Sequence, residues 1–157
     1  GQDMAVEIIF QCGDKEFWDE HEEDKQLMEA VYQKILKWLQ IYLPDFKVAN
    51  AVVHLDETSP HMHVVGVPVG RGFKNGPETK VSKRSVFTKE TLSVVLQDKL
   101  RKVANDYVRL YLRENIREKE TRFRCPLKTY SYNLQLINSG VTRFTFHSII
   151  LQEVIDE

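Results

Sequence analysis

Three histidines lie close together in the stretch VVHLDETSPHMHVVGVPV, residues 52–69. His61 and His63 are two positions apart, and on a β-strand such residues share a face, with Cα atoms about 6.6 Å apart. Imidazole nitrogens at that spacing can converge on one metal ion with bonds of about 2.1 Å. His54 would supply a third nitrogen if its strand pairs with theirs. Three neutral nitrogen ligands leave coordination positions open for water or substrate, which is typical of a catalytic metal centre.

Two carboxylates in this stretch, Asp56 and Glu57, lie between the histidines. We expect one of them to orient a ligand histidine by a hydrogen bond, and Asp56 has the strand parity of His54. Two other interpretations need no metal: an HxH pair is common in proteins, and histidines also pack as hydrogen-bonded core residues. Burying three histidines beside two acids for packing alone is costly, so the pattern favours a metal site.

The charges of the chain are distributed unevenly, although its formal net charge is only -1. Residues 1–70 contain 13 acidic and 5 basic residues, whereas residues 71–128 contain 16 basic and 7 acidic residues. A basic segment directly after the histidines indicates a polyanionic partner. A solvated helix face that balances the acidic half of the chain would give the same count.

Length and composition fit one domain with a buried core, since the 157 residues are 42% hydrophobic. No apolar run is long enough to span a membrane, and the first residues lack the pattern of a signal peptide. Cys12 and Cys125 are far apart and form no metal-binding CxxC pair. This cysteine usage favours a reducing compartment, so we expect a cytoplasmic protein without a membrane partner.

Hydrophobic periodicity predicts an α+β fold, in which helices pack on one face of an antiparallel sheet. The strands that carry the histidines, over residues 46–56 and 61–69, are expected to pair as a hairpin. A long helix that begins at the N-cap Thr88 is expected to bury one stripe of side chains. That stripe consists of Leu92, Val95, Leu96, Leu100, Val103, Tyr107, Leu110 and Tyr111. The other predicted elements are a strand over residues 4–12, a helix over 14–43, a loop or hairpin tip over 70–80, a short strand over 81–87, the long helix over 88–115 and a hairpin over 128–151.

The stretch HLDETSPHMH resembles the HxDExxPHxH motif of the Mob/Pre family of plasmid mobilisation and recombination proteins, a branch of the HUH relaxases. The six fixed positions of the motif are present as His54, Asp56, Glu57, Pro60, His61 and His63. A weaker resemblance continues through KVSKRSVFTKETLSVVLQDKLRKVAND, where the family has a basic turn followed by a helix. The similar regions extend over roughly residues 4–113. The resemblance therefore implies a relaxase-like metal-binding core over residues 1–113, while residues 114–157 form a segment of unknown role in the same domain.

The resemblance also implies an activity, a cofactor and a partner. Relaxases of this kind bind single-stranded or hairpin plasmid DNA at an origin of transfer, nick one strand by transesterification and stay attached to its 5′ end. By the same resemblance, His54, His61 and His63 would hold a divalent cation. Glu57 and Asp56 would support them. Manganese or magnesium would be the working ion, whereas a site of three imidazoles would also take zinc or nickel in a crystal.

The nucleophile of the family belongs to a motif that precedes the first predicted strand, and this chain contains no match to that motif. We therefore expect the chain to hold the metal site without the attacking side chain. Tyr107 and Tyr111 belong to the buried stripe of the long helix, and we expect both to pack in the core. Tyr130 and Tyr132 lie in the segment that the resemblance does not cover, and they are remote alternatives.

Five basic residues follow the histidines, in or beside the predicted loop, and we expect them to bind the phosphate backbone near the cation. They are Arg71, Lys74, Lys80, Lys83 and Arg84. Phe73, in the same loop, would stack on a base or cover a nearby apolar patch.

Two other functions are compatible with the sequence. The first is a metal-dependent hydrolase that acts on a small molecule, although the glutamate that cupins place shortly after HxH is missing and no HExxH motif occurs. The second is a non-catalytic DNA-binding module that keeps the sheet without the chemistry.

Overall fold

The computed structural model describes residues 5–113, 121–124 and 142–144. Its strands are β1 Val6–Cys12, β2 Phe46–His54, β3 His61–Arg71, β4 Thr79–Val81, β5 Thr121–Arg124 and β6 Thr142–Phe144. Within the described residues they form an antiparallel sheet in the order β5-β1-β3-β2-β6, and β4 pairs with the end of β3. The antiparallel sheet predicted from the sequence is therefore confirmed.

The helical elements are α1 Lys15–Glu20, a 3₁₀ helix Glu22–Leu27, α2 Met28–Tyr42, α3 Lys83–Val86, a π-helical stretch Thr91–Lys99 and α4 Leu100–Leu112. They pack on one face of the sheet, where alternate residues of β1, β2 and β3 are buried. Residues on the other face of these strands are mostly half-buried. None of the described helices has both the length and the apolar composition needed to cross a lipid bilayer.

The pairing of β2 with β3 forms the predicted hairpin, and its register sets His54 opposite His61. On its other side β3 pairs with β1, so that Gln11 is opposite His61 and Ile9 is opposite His63. Directly paired residues of antiparallel strands share a face. The three histidines, Ile9 and Gln11 therefore lie together on the half-buried face, away from the helices.

The N-terminal helical region differs from the single helix predicted over residues 14–43. Asp14 caps α1 by accepting a hydrogen bond from the Phe17 N–H at 3.0 Å, but α1 ends at Glu20 and a 3₁₀ helix follows. The break allows the Trp18 indole to donate to the Cys12 carbonyl at 2.8 Å inside the core. It also allows the buried Lys25 to reach the loop that follows β2. Tertiary contacts thus override the continuous helical pattern.

The second long helix also departs from its prediction. Thr88 caps it as expected, because its hydroxyl accepts a hydrogen bond from the Thr91 N–H at 3.1 Å, and the helix ends at Leu112 instead of 115. The first half of this helix, Thr91–Lys99, is a π-helix, in which hydrogen bonds join residues five positions apart. The Leu100 N–H, for example, donates to the Val95 carbonyl. The wide turns rotate the following residues. The buried face of α4 is consequently Leu100, Ala104, Val108 and Leu112, not Val103, Leu110 and Tyr111.

The region after the histidine hairpin contains a second correction. The short strand predicted over 81–87 is wrong, because β4 ends at Val81 and residues from Lys83 onward form α3. The helical turn buries Val86 and Phe87, and the Phe87 ring packs edge-on against Phe46. The loop predicted over 70–80 shortens to 72–78, since β3 continues to Arg71 and β4 begins at Thr79. The hairpin predicted over 128–151 lies outside the described residues apart from β6, which pairs with β2.

A buried tyrosine joins the helix layer to the histidine hairpin. The Tyr32 hydroxyl, on α2, donates to the Pro60 carbonyl at 2.6 Å and accepts a hydrogen bond from the Cys12 N–H at 3.1 Å. Pro60 directly precedes His61 at the start of β3, and Cys12 is the last residue of β1. One oxygen atom therefore holds three elements together at the end of the sheet that carries the histidines.

Replacing Tyr32 with phenylalanine would leave the Cys12 N–H and the Pro60 carbonyl without this partner. Because an unpaired buried polar group costs about 1–3 kcal/mol, we expect Tyr32→Phe to lower the free energy of unfolding in urea by about 2–4 kcal/mol. Tyr42→Phe is the matched control, since Tyr42 lies on the same helix and no described residue hydrogen-bonds to its hydroxyl. The control should change stability by less than about 0.5 kcal/mol. Equal stability of Tyr32→Phe and the parent protein would contradict the bridging role.

Candidate metal centre

The three histidines form a compact cluster at one end of the β2–β3 hairpin, as the sequence predicted. Their ring centroids are 5.0 to 5.3 Å apart, and each ring offers one nitrogen within 4.8 Å of the nitrogens of the other two. Nitrogens bound tetrahedrally to the same ion at about 2.1 Å lie about 3.4 Å apart. Small rotations of the rings would therefore suffice for one ion. We call His54, His61 and His63 the histidine cluster.

Hydrogen bonds to Nδ1 orient two of the rings. His61 Nδ1 lies 3.0 Å from the Ser59 carbonyl oxygen, which can only accept, so this nitrogen carries the proton. His63 Nδ1 lies 2.7 Å from the Glu7 carboxylate and donates to it in the same way. In the neutral form of each ring, Nε2 then has a free lone pair, which is the form of imidazole that binds metals. The donor set and its outer hydrogen bonds fit a metal site.

The third ring, His54, is favoured in its neutral form. Burial lowers the pKa of His54 below its ordinary value, and the neighbouring imidazoles of His61 and His63 lower it further. Glu57 and Asp56 offset part of that shift. A lower pKa means that the neutral ring persists to a lower pH, so fewer protons compete with a cation for its nitrogen.

The two acids between the histidines have different surroundings. Glu57 approaches the cluster, with carboxylate oxygens 3.8 Å from His54 Nδ1 and 3.9 Å from His61 Nε2. Lys25 fixes the backbone beside it by donating to the Glu57 carbonyl at 3.2 Å. Asp56 is exposed. Because β2 ends at His54, Asp56 is not part of the strand, and the expectation that it shares a face with His54 does not apply.

The carboxylate that hydrogen-bonds a histidine is Glu7, which the sequence analysis did not single out. Glu7 is separated from His63 by 56 positions, and only the pairing of β1 with β3 brings the two together. A sequence signal does exist: Glu7 interrupts the apolar run VEIIF, at a position that alternates with the buried Val6 and Ile8. An acid at such a position of a central strand marks the polar side of the sheet.

A cavity of about 400 Å³ adjoins the histidine cluster on the side of β1. Its lining residues are Ile9, Gln11, Glu57, Thr58, Ser59, His61 and His63. The side chains of the three histidines are 14 to 30% exposed. The cluster is therefore accessible from solvent, which a catalytic or binding centre requires and a sealed structural site does not.

The five basic residues predicted to lie near the cation are not brought to the histidine cluster. Arg71 ends β3, ten residues after His61, which corresponds to about 30 Å along an extended strand. Its guanidinium pairs with Asp45 at 3.2 Å. Lys74 is in the 72–78 loop, Lys80 is in β4, and Lys83 and Arg84 are in α3, all of which adjoin that far end of β3. The proximity expected from sequence order fails because a strand separates residues that are close in the chain.

Phe73 lies in the 72–78 loop beside the end of β3, and both roles considered for it, stacking on a base and covering an apolar patch, stay predictions. The Lys80 ammonium lies 3.9 Å from its ring centroid, and the ring packs against Gly70, where an added Cβ would come within 2.7 Å of it.

The described tyrosines and Cys12 lie on the helix side of the sheet, so that the sheet separates them from the histidine cluster. Both tyrosines of α4 were expected in the core: Tyr107 is half-buried and packs against it, whereas Tyr111 is exposed. Burial raises the pKa of the Cys12 thiol to about 12 and the pKa of the Tyr32 hydroxyl well above its usual range. Neither group is therefore a ready nucleophile. Tyr130 and Tyr132 lie outside the described residues.

Comparison with known proteins agrees with the motif. The sequence profile of the Mob/Pre family, described as plasmid recombination enzyme, matches residues 2–119. A plasmid recombination enzyme of Streptococcus agalactiae is 31% identical over 85 residues, which cover 54% of this chain and 15% of that protein. No solved structure shows significant similarity to the chain. Because the family profile matches well over half of the sequence, the chain belongs to the Mob/Pre family of plasmid recombination enzymes.

Proposed function

We propose that this chain is the metal-binding core of a relaxase, which takes part in nicking and transferring one strand of plasmid DNA at an origin of transfer. The observation that carries the proposal is the histidine cluster, which is solvent-accessible on the face of the sheet opposite the helices. Membership of the plasmid recombination enzyme family supports DNA as the substrate. The resemblance to relaxases leads us to propose a single-stranded or hairpin substrate, part of which would enter the adjoining cavity of about 400 Å³.

In this proposal His54, His61 and His63 hold one divalent cation. Manganese or magnesium is the proposed working ion, although three imidazole nitrogens would bind zinc or nickel at least as tightly. When bound, such a cation neutralises charge that develops on a phosphate during strand cleavage.

The residues around the cluster have separate proposed roles. Glu7 and the Ser59 carbonyl hold the rings of His63 and His61 with Nε2 available, which pre-organises the ligands. The Glu57 carboxylate lies within 4 Å of two of the rings and lines the cavity. It would therefore assist beside the reacting phosphate, and the exposed Asp56 would add only to the local negative charge.

The attacking group is proposed to come from outside the described residues. The described tyrosines lie on helices on the opposite face of the sheet from the histidine cluster. A hydroxyl there would have to pass through the sheet to reach a phosphate at the cluster. We therefore propose that the described residues bind the metal ion and the DNA, and that a side chain outside them attacks the strand.

Removing one ligand should abolish metal binding. Purified protein is expected to contain about one equivalent of a divalent metal by elemental analysis after loading and desalting, and His63→Ala should lose it, because two imidazoles hold an ion far less tightly than three. His21→Ala is the matched control, since the His21 ring packs on Phe17 and lies outside the cluster. Unchanged metal content in His63→Ala would refute the site.

Removing the charge of Glu7 should weaken the site without destroying it. Outer hydrogen-bond partners of ligand histidines typically contribute about 10- to 100-fold to metal affinity, so we expect Glu7→Gln to bind zinc at least about 10-fold more weakly by competitive titration. Glu90→Gln, an exposed substitution with the same charge change, should bind like the parent protein. An affinity of Glu7→Gln equal to that of the parent would show that the Glu7–His63 bond does not orient the ligand.

Binding to nucleic acid separates a relaxase core from a small-molecule hydrolase. We expect the chain to shift a single-stranded hairpin oligonucleotide in a gel at low salt, and to bind the fully paired duplex of the same sequence more weakly. Binding should weaken as salt rises, because phosphate contacts release counterions. Failure to bind single-stranded DNA at low salt would overturn the proposed function.

A further inference from the structure

The edge strand β5 extends the face that carries the histidine cluster. In its pairing with β1, Arg122 is opposite Gln11 and Arg124 is opposite Ile9. The same two residues of β1 are opposite His61 and His63 on their other side. Two rows therefore cross the sheet, one through Arg122, Gln11 and His61 and the other through Arg124, Ile9 and His63. Since paired residues share a face, both arginines occupy positions on the histidine face.

The distance along each row, from the histidine on β3 to the arginine position on β5, suits an extended polyanion. Neighbouring strands lie about 4.8 Å apart, so β5 is about 10 Å from β3. The residues between them, Ile9 and Gln11, form the floor of the cavity that adjoins the histidine cluster. The cavity thus extends from the histidines towards β5, and not towards the far end of β3, where the five previously predicted basic residues lie.

The charge around the histidine cluster is negative, so a DNA strand bound there needs cationic residues nearby. Among the described side chains that line the cavity or contact a ligand ring, the charged groups other than the histidines are Glu7 and Glu57, both carboxylates. The nearby Lys25 is buried and pairs with Glu22. A phosphate backbone that enters this cavity would meet negative charge unless cationic residues accompany the site.

We propose that Arg122 and Arg124 form the phosphate-binding edge of the site, where they hold the nucleotides that adjoin the one at the histidine cluster. The DNA strand then runs across β1, over Gln11 and Ile9, from β3 to β5. This inference rests on the proposed function, since it assumes a single-stranded DNA substrate. Both arginines lie beyond residues 2–119, the part of the chain that the family profile matches.

The test compares DNA affinity and its salt dependence in paired variants, by fluorescence anisotropy with a labelled single-stranded oligonucleotide. Each phosphate contact to a single strand contributes about 0.7 to the slope of log K against log salt. We expect Arg122→Gln/Arg124→Gln to lower that slope by about 1.4, which corresponds to roughly 25-fold weaker binding at 0.1 M salt. The matched control, Lys37→Gln/Lys102→Gln, removes the same charge from exposed positions of α2 and α4, on the helix side of the sheet, and should change affinity less than about 3-fold.

Two further measurements distinguish a loss of phosphate contacts from misfolding of the variant. Metal content should be the same in both glutamine variants and in the parent protein, because neither substitution touches a ligand. The charge-retaining pair Arg122→Lys/Arg124→Lys should bind DNA more tightly than the glutamine pair and should restore most of the salt slope.

The outcomes separate the inference from the function on which it rests. If the parent protein does not bind single-stranded DNA, the proposed function fails and the inference fails with it. If the parent binds and Arg122→Gln/Arg124→Gln binds with the same affinity and slope, the inference alone is overturned. A lysine pair that binds no better than the glutamine pair would also overturn it.

Discussion

The antiparallel pairing of β2 with β3 is the constraint on which the histidine cluster depends. His54 and His61 are direct partners in that pairing, and His63 shares their face. The alternate positions carry Val53 and Met62, both fully buried beneath the helices. A shift of one residue in either strand would send its histidines into the apolar layer and its apolar residues to the open face. The hydrophobic core therefore specifies the register, and the register brings the imidazoles together.

Much of this arrangement follows from local pattern. The spacing of His61 and His63 defines a shared face as soon as the segment is a strand, and the short connection ETSP makes pairing with the strand of His54 the simplest topology. The composition of the strands and helices was likewise sufficient to predict an antiparallel sheet covered on one face. These inferences succeeded because each depends on residues that are near one another in the chain, where periodicity and turn chemistry carry the information.

The errors arose where distant parts of the chain decide the outcome. Glu7 becomes a partner of His63 only because β1 lies beside β3, an order of strands that no local pattern specifies. The bases after the hairpin were assigned to the cation because they follow it in sequence, yet β3 carries the chain to the other end of the sheet. The wide turns before α4 rotated its buried face to include Ala104, which a search for large apolar side chains passes over.

The Tyr32 hydroxyl also bears on how the molecule responds to heat or denaturant. Its two hydrogen bonds belong to the interior, yet one of them ends at the residue before His61. Partial unfolding of α2 would therefore displace the Tyr32 hydroxyl and, through its hydrogen bond to Pro60, the start of β3 beside His61. We therefore expect the end of the sheet that carries the histidines to unfold together with the interior, so that a bound cation would raise the melting temperature of both.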